Sequence, residues 1–184
     1  MVSLEQVRQR AVSILEADPK RLRHTRSVVA FALSLGAVHH ADLDKVQAAC
    51  WLHDVAKNRA SSSDDETFDA DAWPEATHHA RYAAIFARTE LGIIDSDILD
   101  AITYHTTGRR GMSLIEKIVF VADHIEPHRK GVPEKFRKLA HEQLDVVVWL
   151  ILKRNIAYLE AHKRPVSRLT REAYDEYEYM GGNG

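Results

Sequence analysis

One cysteine, Cys50, stands in 184 residues. A lone thiol excludes an internal disulfide framework and a cysteine-rich zinc site. Long apolar runs are also lacking. The longest, Val146 to Leu152, falls far short of the ~20 residues that span a bilayer, so no membrane partner is expected. A basic surplus is absent: Lys plus Arg is 25, Asp plus Glu is 27, and the formal charge is −2. A chain this close to neutral lacks the cationic excess of a nucleic-acid binder, so no nucleic-acid partner is expected either. The opening stretch, MVSLEQVRQR, lacks a charged head followed by an apolar segment, which argues against a signal peptide and for a cytoplasmic location. Strand signals are scarce: Val146–Val148 is β-branched but continues into a helical pattern. Histidine alone is abundant, with eleven residues.

Apolar content of 45% and charged content of 28% are globular values. Helical spacing dominates. Leu4, Val7, Ala11, Ile14 and Leu15 line one face behind a Ser3/Gln6 capping box. A second helix begins near Pro19, and Gly36 is expected to end it. Asp42 is read as the cap of a third, with Leu43, Val46, Ala49, Cys50 and Leu52 facing inward. Residues 58–73 have no apolar period and read as a loop. Within it, the acidic part from Ser61 to Asp71 is read as a solvated connection, with a lid as the alternative. Pro74 is expected to open a fourth helix stopped by Gly92, and Ser96 to cap a fifth ending at His105. Ser113 and Glu116 form a second capping box, and Pro127 breaks the helix behind it. One helix follows Pro133, a long and mostly buried one runs from Leu144 to His162, and a short one closes the chain from Thr170. The expected fold is all-α, one domain over 1–184 with about seven to nine helices in a compact bundle.

The pair His53-Asp54 ends an apolar helix. Buried there, it is costly unless neutralised, and a divalent metal would serve; the alternative is a pair of helix caps. His24 lies on an inward helical stripe, His79 at a helix start, His105 at a helix end, and Asp123 after the apolar run VFVA. Each alone suits a core or cap residue. Arriving together in the order His, His-Asp, His, His, Asp, they are hard to explain that way.

That order resembles the HD-domain phosphohydrolases. The resemblance is closer to one branch, the YqeK-type symmetrical dinucleoside tetraphosphatases. His24 to Val28 matches H-x-x-x-V, and Leu52 to Lys57 matches L-H-D-x-A-K. Most specific is YHTTGRRGMSLIEKI, Tyr104 to Ile118, followed by A-D-x-I-E-P from Ala122 to Pro127. Arg110, His124 and His128 stand where that family usually has proline, tyrosine and asparagine, and ARYAA follows His79. The segment from Asp54 to His79 also looks shorter and more acidic than the family's.

The resemblance implies an HD domain with its metal core at about 20–130 and C-terminal helices at 133–180 packed on it. It implies one metal held by His24, His53, Asp54 and Asp123, and a second sharing Asp54 with His79 and His105. Iron is the metal it points to; nitrogen and oxygen ligands without thiolate also suit manganese or cobalt. The implied reaction is symmetrical cleavage of diadenosine tetraphosphate to two ADP, by attack of a metal-bound hydroxide on an inner phosphate. Asp54, Lys57, His79 and Arg109 are the expected catalytic residues. Lys57, Thr106, Thr107, Gly108 and Arg109 are the expected substrate contacts. His39, His40, His78, His141 and His162 read as surface residues, Glu126 as a residue that could orient a ligand, and His124 and His128 as open. Rival readings are an HD hydrolase of a nucleoside monophosphate or cyclic nucleotide, and a non-catalytic sensor. The late apolar helix is compatible with a homodimer.

Overall fold

The computed structural model describes residues 2–57 and 69–181. Among these residues are nine α-helices and no strand: α1 Leu4–Leu15, α2 Pro19–Val38, α3 Leu43–Leu52, α4 His78–Leu91, α5 Ser96–Tyr104, α6 Leu114–Ile125, α7 Glu134–Glu142, α8 Leu144–Ala161 and α9 Arg168–Gly181. A 3-10 turn, Glu75–Thr77, leads into α4. The architecture is all-α, as the periodicity predicts. No helix among the described residues is long and apolar enough to cross a membrane.

Local chemistry sets most helix ends. The Ser3 hydroxyl accepts from the Gln6 N–H at 3.2 Å while the Gln6 side chain accepts from the Ser3 N–H at 2.8 Å. Ser113 and Glu116 repeat this reciprocal pair at the start of α6. Each box satisfies two amides that the first turn leaves without helical partners. Asp42 caps α3 through the N–H groups of Asp44 and Lys45. Gly92, at φ 65°, ends α4 in the left-handed region, where a residue without Cβ is favoured.

Several expected boundaries shift. Gly36 does not stop α2; it lies inside the helix, buried. A Cβ there would meet Leu43 Cδ2 at 2.8 Å, so the glycine serves close packing at the α2–α3 corner. Leu43 itself faces outward and is 40% exposed. Asp95, not Ser96, caps α5, accepting from the Asp97 and Ile98 amides. Pro74 precedes the 3-10 turn, and α4 starts only at His78. Residues 58–68 of the expected loop lie outside the described residues. Trp73 at its end is buried, with its ring 5.6 Å from that of Tyr104. α8 is buried only along its first half, through Leu144, Val147, Val148, Ile151 and Leu152. α9 starts at Arg168 and has 14 residues; it is not short.

The core centres on α6. Ile118, Phe120 and Ile125 are fully buried, against Val28 and Leu35 of α2, Leu52 of α3, Ile102 of α5 and Leu152 of α8. Each such side chain contributes about 1.5–3 kcal/mol by leaving water. Truncating Phe120 to alanine would cost ~3–5 kcal/mol, the transfer loss plus a cavity. This rigid centre fixes the ends of the helices around it, and the polar residues stand at those ends.

Candidate metal centre

His24 comes from α2, His53 caps α3, and Asp54 follows it. His79 lies in the first turn of α4, His105 caps α5, and Asp123 is near the end of α6. The bundle brings all six together. Asp123 Oδ1 lies 2.9 Å from His24 Nε2 and 3.8 Å from His53 Nε2. Asp54 Oδ2 lies 3.9 Å from His53 Nε2. Asp54 Oδ1 lies 3.4 Å from His79 Nε2 and 3.8 Å from His105 Nε2. Two triads emerge whose donor atoms lie within 4.8 Å of one another, His24–His53–Asp123 and His53–Asp54–His105. Five of the six are buried, and His24 is partly so.

The ring orientations follow from the chain just before each histidine. His53 donates from Nδ1 to the Cys50 carbonyl at 2.7 Å, and His105 to the Ile102 carbonyl at 2.7 Å. His79 donates to the Ala76 carbonyl at 3.1 Å. Each acceptor sits three positions earlier, so the local turn holds the ring and leaves its Nε2 lone pair facing inward. His24 is turned by Glu126, whose Oε1 lies 3.3 Å from Nδ1. Glu126 is itself held by the Ser27 hydroxyl and the His128 amide, both at 2.6 Å.

Those donors fit a divalent cation. His53 Nε2 is buried without a hydrogen-bond partner among the described residues, and such buried polar atoms are costly and uncommon. Asp54 Oδ1, also buried without a hydrogen bond, has among those residues only the Lys57 ammonium, at 3.3 Å, as a charged partner besides the histidines. His79 Nε2 and His105 Nε2 face each other at 3.3 Å, where two lone pairs repel unless a cation or proton lies between. Imidazole nitrogen and carboxylate oxygen without thiolate suit iron, manganese or cobalt. The sole cysteine, Cys50, is buried in the core, and burial pushes its thiol well above the usual range.

Protonation divides the cluster. Burial first, then the Lys57 ammonium, pushes His79 down to about 4. Burial, then His53, holds His105 well below its ordinary value. Both are neutral and able to bind a cation. Burial also pulls His24 down, but its bond to Asp123 and that carboxylate's charge reverse the direction. Both His24 nitrogens face carboxylate oxygens, Nε2 toward Asp123 and Nδ1 toward Glu126. Burial raises the Asp54 carboxyl, and His53 and Lys57 more than reverse it.

The expected substrate residues divide as well. Lys57 Nζ lies 3.3 Å from Asp54 Oδ1 and is 42% exposed at the rim. The Thr106 hydroxyl lies 3.1 Å from His105 Nε2 and 3.4 Å from His79 Nε2. Thr107 is buried, and its carbonyl accepts from Thr170. Gly108 adopts φ 64° and donates its N–H to the Tyr104 carbonyl at 2.8 Å, so that amide closes the turn. Arg109 departs from expectation: its guanidinium bonds Glu116 at 2.7 and 3.1 Å and Asp100 at 2.9 Å, and it lies over the Tyr104 ring. It braces the turn. Two cations were missed. Arg21 Nη1 lies 3.6 Å from Asp54 Oδ2, and Arg129 Nη2 lies 3.3 Å from Asp123 Oδ1. Arg21 precedes His24 by one helical turn, a spacing legible in the sequence. His124 is held by the Phe120 carbonyl at 2.8 Å, outside the triads. His39 and His78 are less exposed than expected, bonding the Ala140 and Trp73 carbonyls.

Comparison with known proteins agrees with this geometry. A family model of the HD domain matches residues 21–128. The symmetrical bis(5'-nucleosyl)-tetraphosphatase of Halalkalibacterium halodurans is 37% identical over 169 residues, covering 85% of this chain and 88% of that one. The protein of the same name from Bacillus subtilis is 37% identical over 155 residues, covering 79% and 83%. An HD superfamily hydrolase of Clostridium acetobutylicum, described as involved in NAD metabolism, superposes with a TM-score of 0.87 at 30% identity over 98% of this chain and 99% of that one. With the HD model matching most of its length and these relatives matching it over most of both chains, the chain belongs to the HD domain family, and within it to the branch of symmetrical bis(5'-nucleosyl)-tetraphosphatases.

Proposed function

We propose that this protein is a metal-dependent phosphohydrolase that splits diadenosine tetraphosphate between its two inner phosphates, giving two ADP. The observation that carries this reading is the pair of overlapping triads, in which Asp54 lies between His53 on one side and His79 and His105 on the other. His24, His53, Asp54 and Asp123 would hold one ion, and Asp54, His79 and His105 the other. When bound, two such ions supply Lewis acidity toward the phosphoryl oxygens and toward water. Iron is the proposed metal because the family resemblance points to it; the nitrogen and oxygen donors suit manganese or cobalt as well.

The chain's own residues do the rest. The carbonyls behind His53, His79 and His105 keep those rings fixed through the reaction. Lys57, Arg21 and Arg129 ring the two carboxylates and offset the charge of a tetraphosphate that the carboxylates would repel. Thr106 presents a hydroxyl beside His105 and His79, placed to donate to a phosphoryl oxygen. In the net reaction a water oxygen bonds to one inner phosphorus and the anhydride oxygen leaves with the other ADP.

The test is to load the protein with iron or manganese, add the dinucleotide, and separate the products by anion exchange. ADP alone is expected. ATP plus AMP would overturn the symmetrical assignment. An inert dinucleotide alongside turnover of a nucleoside monophosphate or cyclic nucleotide would select another HD hydrolase. Binding without turnover of any of these would select a sensor.

A further inference from the structure

Beside the His79–His105 half of the centre lies a cavity of about 450 Å³, within the roughly 300–1,000 Å³ range of small-ligand pockets. Its inner wall touches the cluster. Ala76 supplies the carbonyl that holds His79, and Thr106 supplies the hydroxyl that faces both Nε2 atoms. The neighbouring Thr107 hydroxyl is buried and has no partner among the described residues.

The outer wall comes from the end of α8 and the turn into α9. There Asn155, Tyr158 and Arg164 line the cavity. The Tyr158 ring rests against His162, centroids 4.1 Å apart, and is 52% exposed. The Asn155 carboxamide makes no hydrogen bond, and the Arg164 guanidinium no ion pair, with the described residues. The backbone at Arg164 is fixed by the helix end: its main-chain N–H donates to the Leu159 carbonyl at 2.9 Å, after Lys163 turns at φ 52°. The cavity thus joins an aromatic wall to an amide and a cation that have no partner among the described residues, and Ala76 and Thr106 connect its inner wall to the His79–His105 half of the cluster.

We propose that this cavity holds one nucleoside of the dinucleotide, with the base against Tyr158, its edge read by Asn155, and the adjoining phosphate paired with Arg164. The proposal rests on the hydrolase reading above. Aromatic side chains stack any base, so Tyr158 gives affinity without choice. A carboxamide offers one donor and one acceptor, matching the N6 amine and N7 of adenine, whereas the same edge of guanine presents two acceptors. Asn155 therefore favours adenine.

The experiment uses the full, metal-loaded chain and the variants Asn155→Ala and Arg164→Ala. Both positions are at least partly exposed, and retained melting curves show that the variants fold. ADP and GDP affinities are measured by calorimetry, and kcat and KM with diadenosine tetraphosphate. Each variant is expected to weaken ADP binding and raise KM by about tenfold or more, with kcat within about threefold of wild type. Asn155→Ala should also erase the preference for ADP over GDP, and Arg164→Ala should keep it. Unchanged ADP affinity and unchanged base preference, in variants of an active enzyme, would overturn the proposal. A wild type that leaves the dinucleotide intact but binds ADP through Asn155 would overturn the hydrolase reading and uphold the nucleoside site.

Discussion

Arg109→Ala separates a brace from a phosphate ligand. Glu116 is only 2% exposed. Its carboxylate accepts from Arg109 Nε at 2.7 Å, from Arg109 Nη2 at 3.1 Å and from the Ser113 amide at 2.8 Å. Truncating the arginine leaves that carboxylate buried with a single backbone donor. Breaking a buried ion pair costs about 3–5 kcal/mol. The guanidinium is 29% exposed, and water can enter the gap, so the lower end applies, ~3 kcal/mol. For a chain of this size the melting temperature should fall by about 6–12 °C. Adding Glu116→Gln removes the stranded charge and should recover about half of that loss. Thermal melts measure both. Turnover of the dinucleotide, assayed well below the transition, should stay within about threefold of wild type, because Arg109 Nε and Nη2 are engaged by Glu116 and Asp100 rather than by the cluster. A melting temperature within about 2 °C of wild type, combined with a loss of kcat/KM beyond about 100-fold, would refute the reasoning and return Arg109 to the phosphates.

Three further perturbations follow from the geometry. In chelated protein, His79 stays neutral down to about 4, while the unfolded chain takes up that proton near 6.5. Stability must therefore fall as pH drops from about 6.5 toward 4, by ~2 kcal/mol at pH 5 from His79 alone. His105 deepens the fall and His24, shifted the other way, trims it; a melting temperature flat between about pH 7 and 5 would contradict this. Glu126→Gln keeps an acceptor for His24 but turns an amine toward the Ser27 hydroxyl and the His128 amide. Metal affinity should weaken by roughly 10–100-fold in a chelator competition, and an unchanged affinity would remove Glu126 from the orienting role. Lys163→Gly relieves a side chain held at φ 52° and should raise stability by ~1 kcal/mol, seen as a melting temperature about 2–4 °C higher.

Legibility in the sequence followed the range of the interaction. Capping boxes are written within four residues, so Ser3/Gln6 and Ser113/Glu116 were readable, as was the αL stop at Gly92. That the six His and Asp residues would converge was readable because their order resembles a known family. What failed depends on partners far along the chain. Gly36 looks like a stop until Leu43 is placed against it. Arg109 looks like a phosphate contact until Asp100 and Glu116 converge on it from two helices. The wall of the cavity joins Thr106 to Asn155 and Arg164, and no local pattern brings those together. Asp95 against Ser96 was a near tie between two good cap residues one position apart.

The cluster is distributed: its six candidate ligands lie on or just after five helices, and the His24–Asp123 contact alone closes 99 positions of chain. Closing so long a span comes late, since its entropy must be met before its contacts reward it. A bound cation then acts on the folded state far more than on the folding barrier. Its effect is on dwell time. Metal loading should leave the refolding rate nearly unchanged and slow unfolding, so that the protein's lifetime against proteolysis or heat becomes a measure of how well its ions are held.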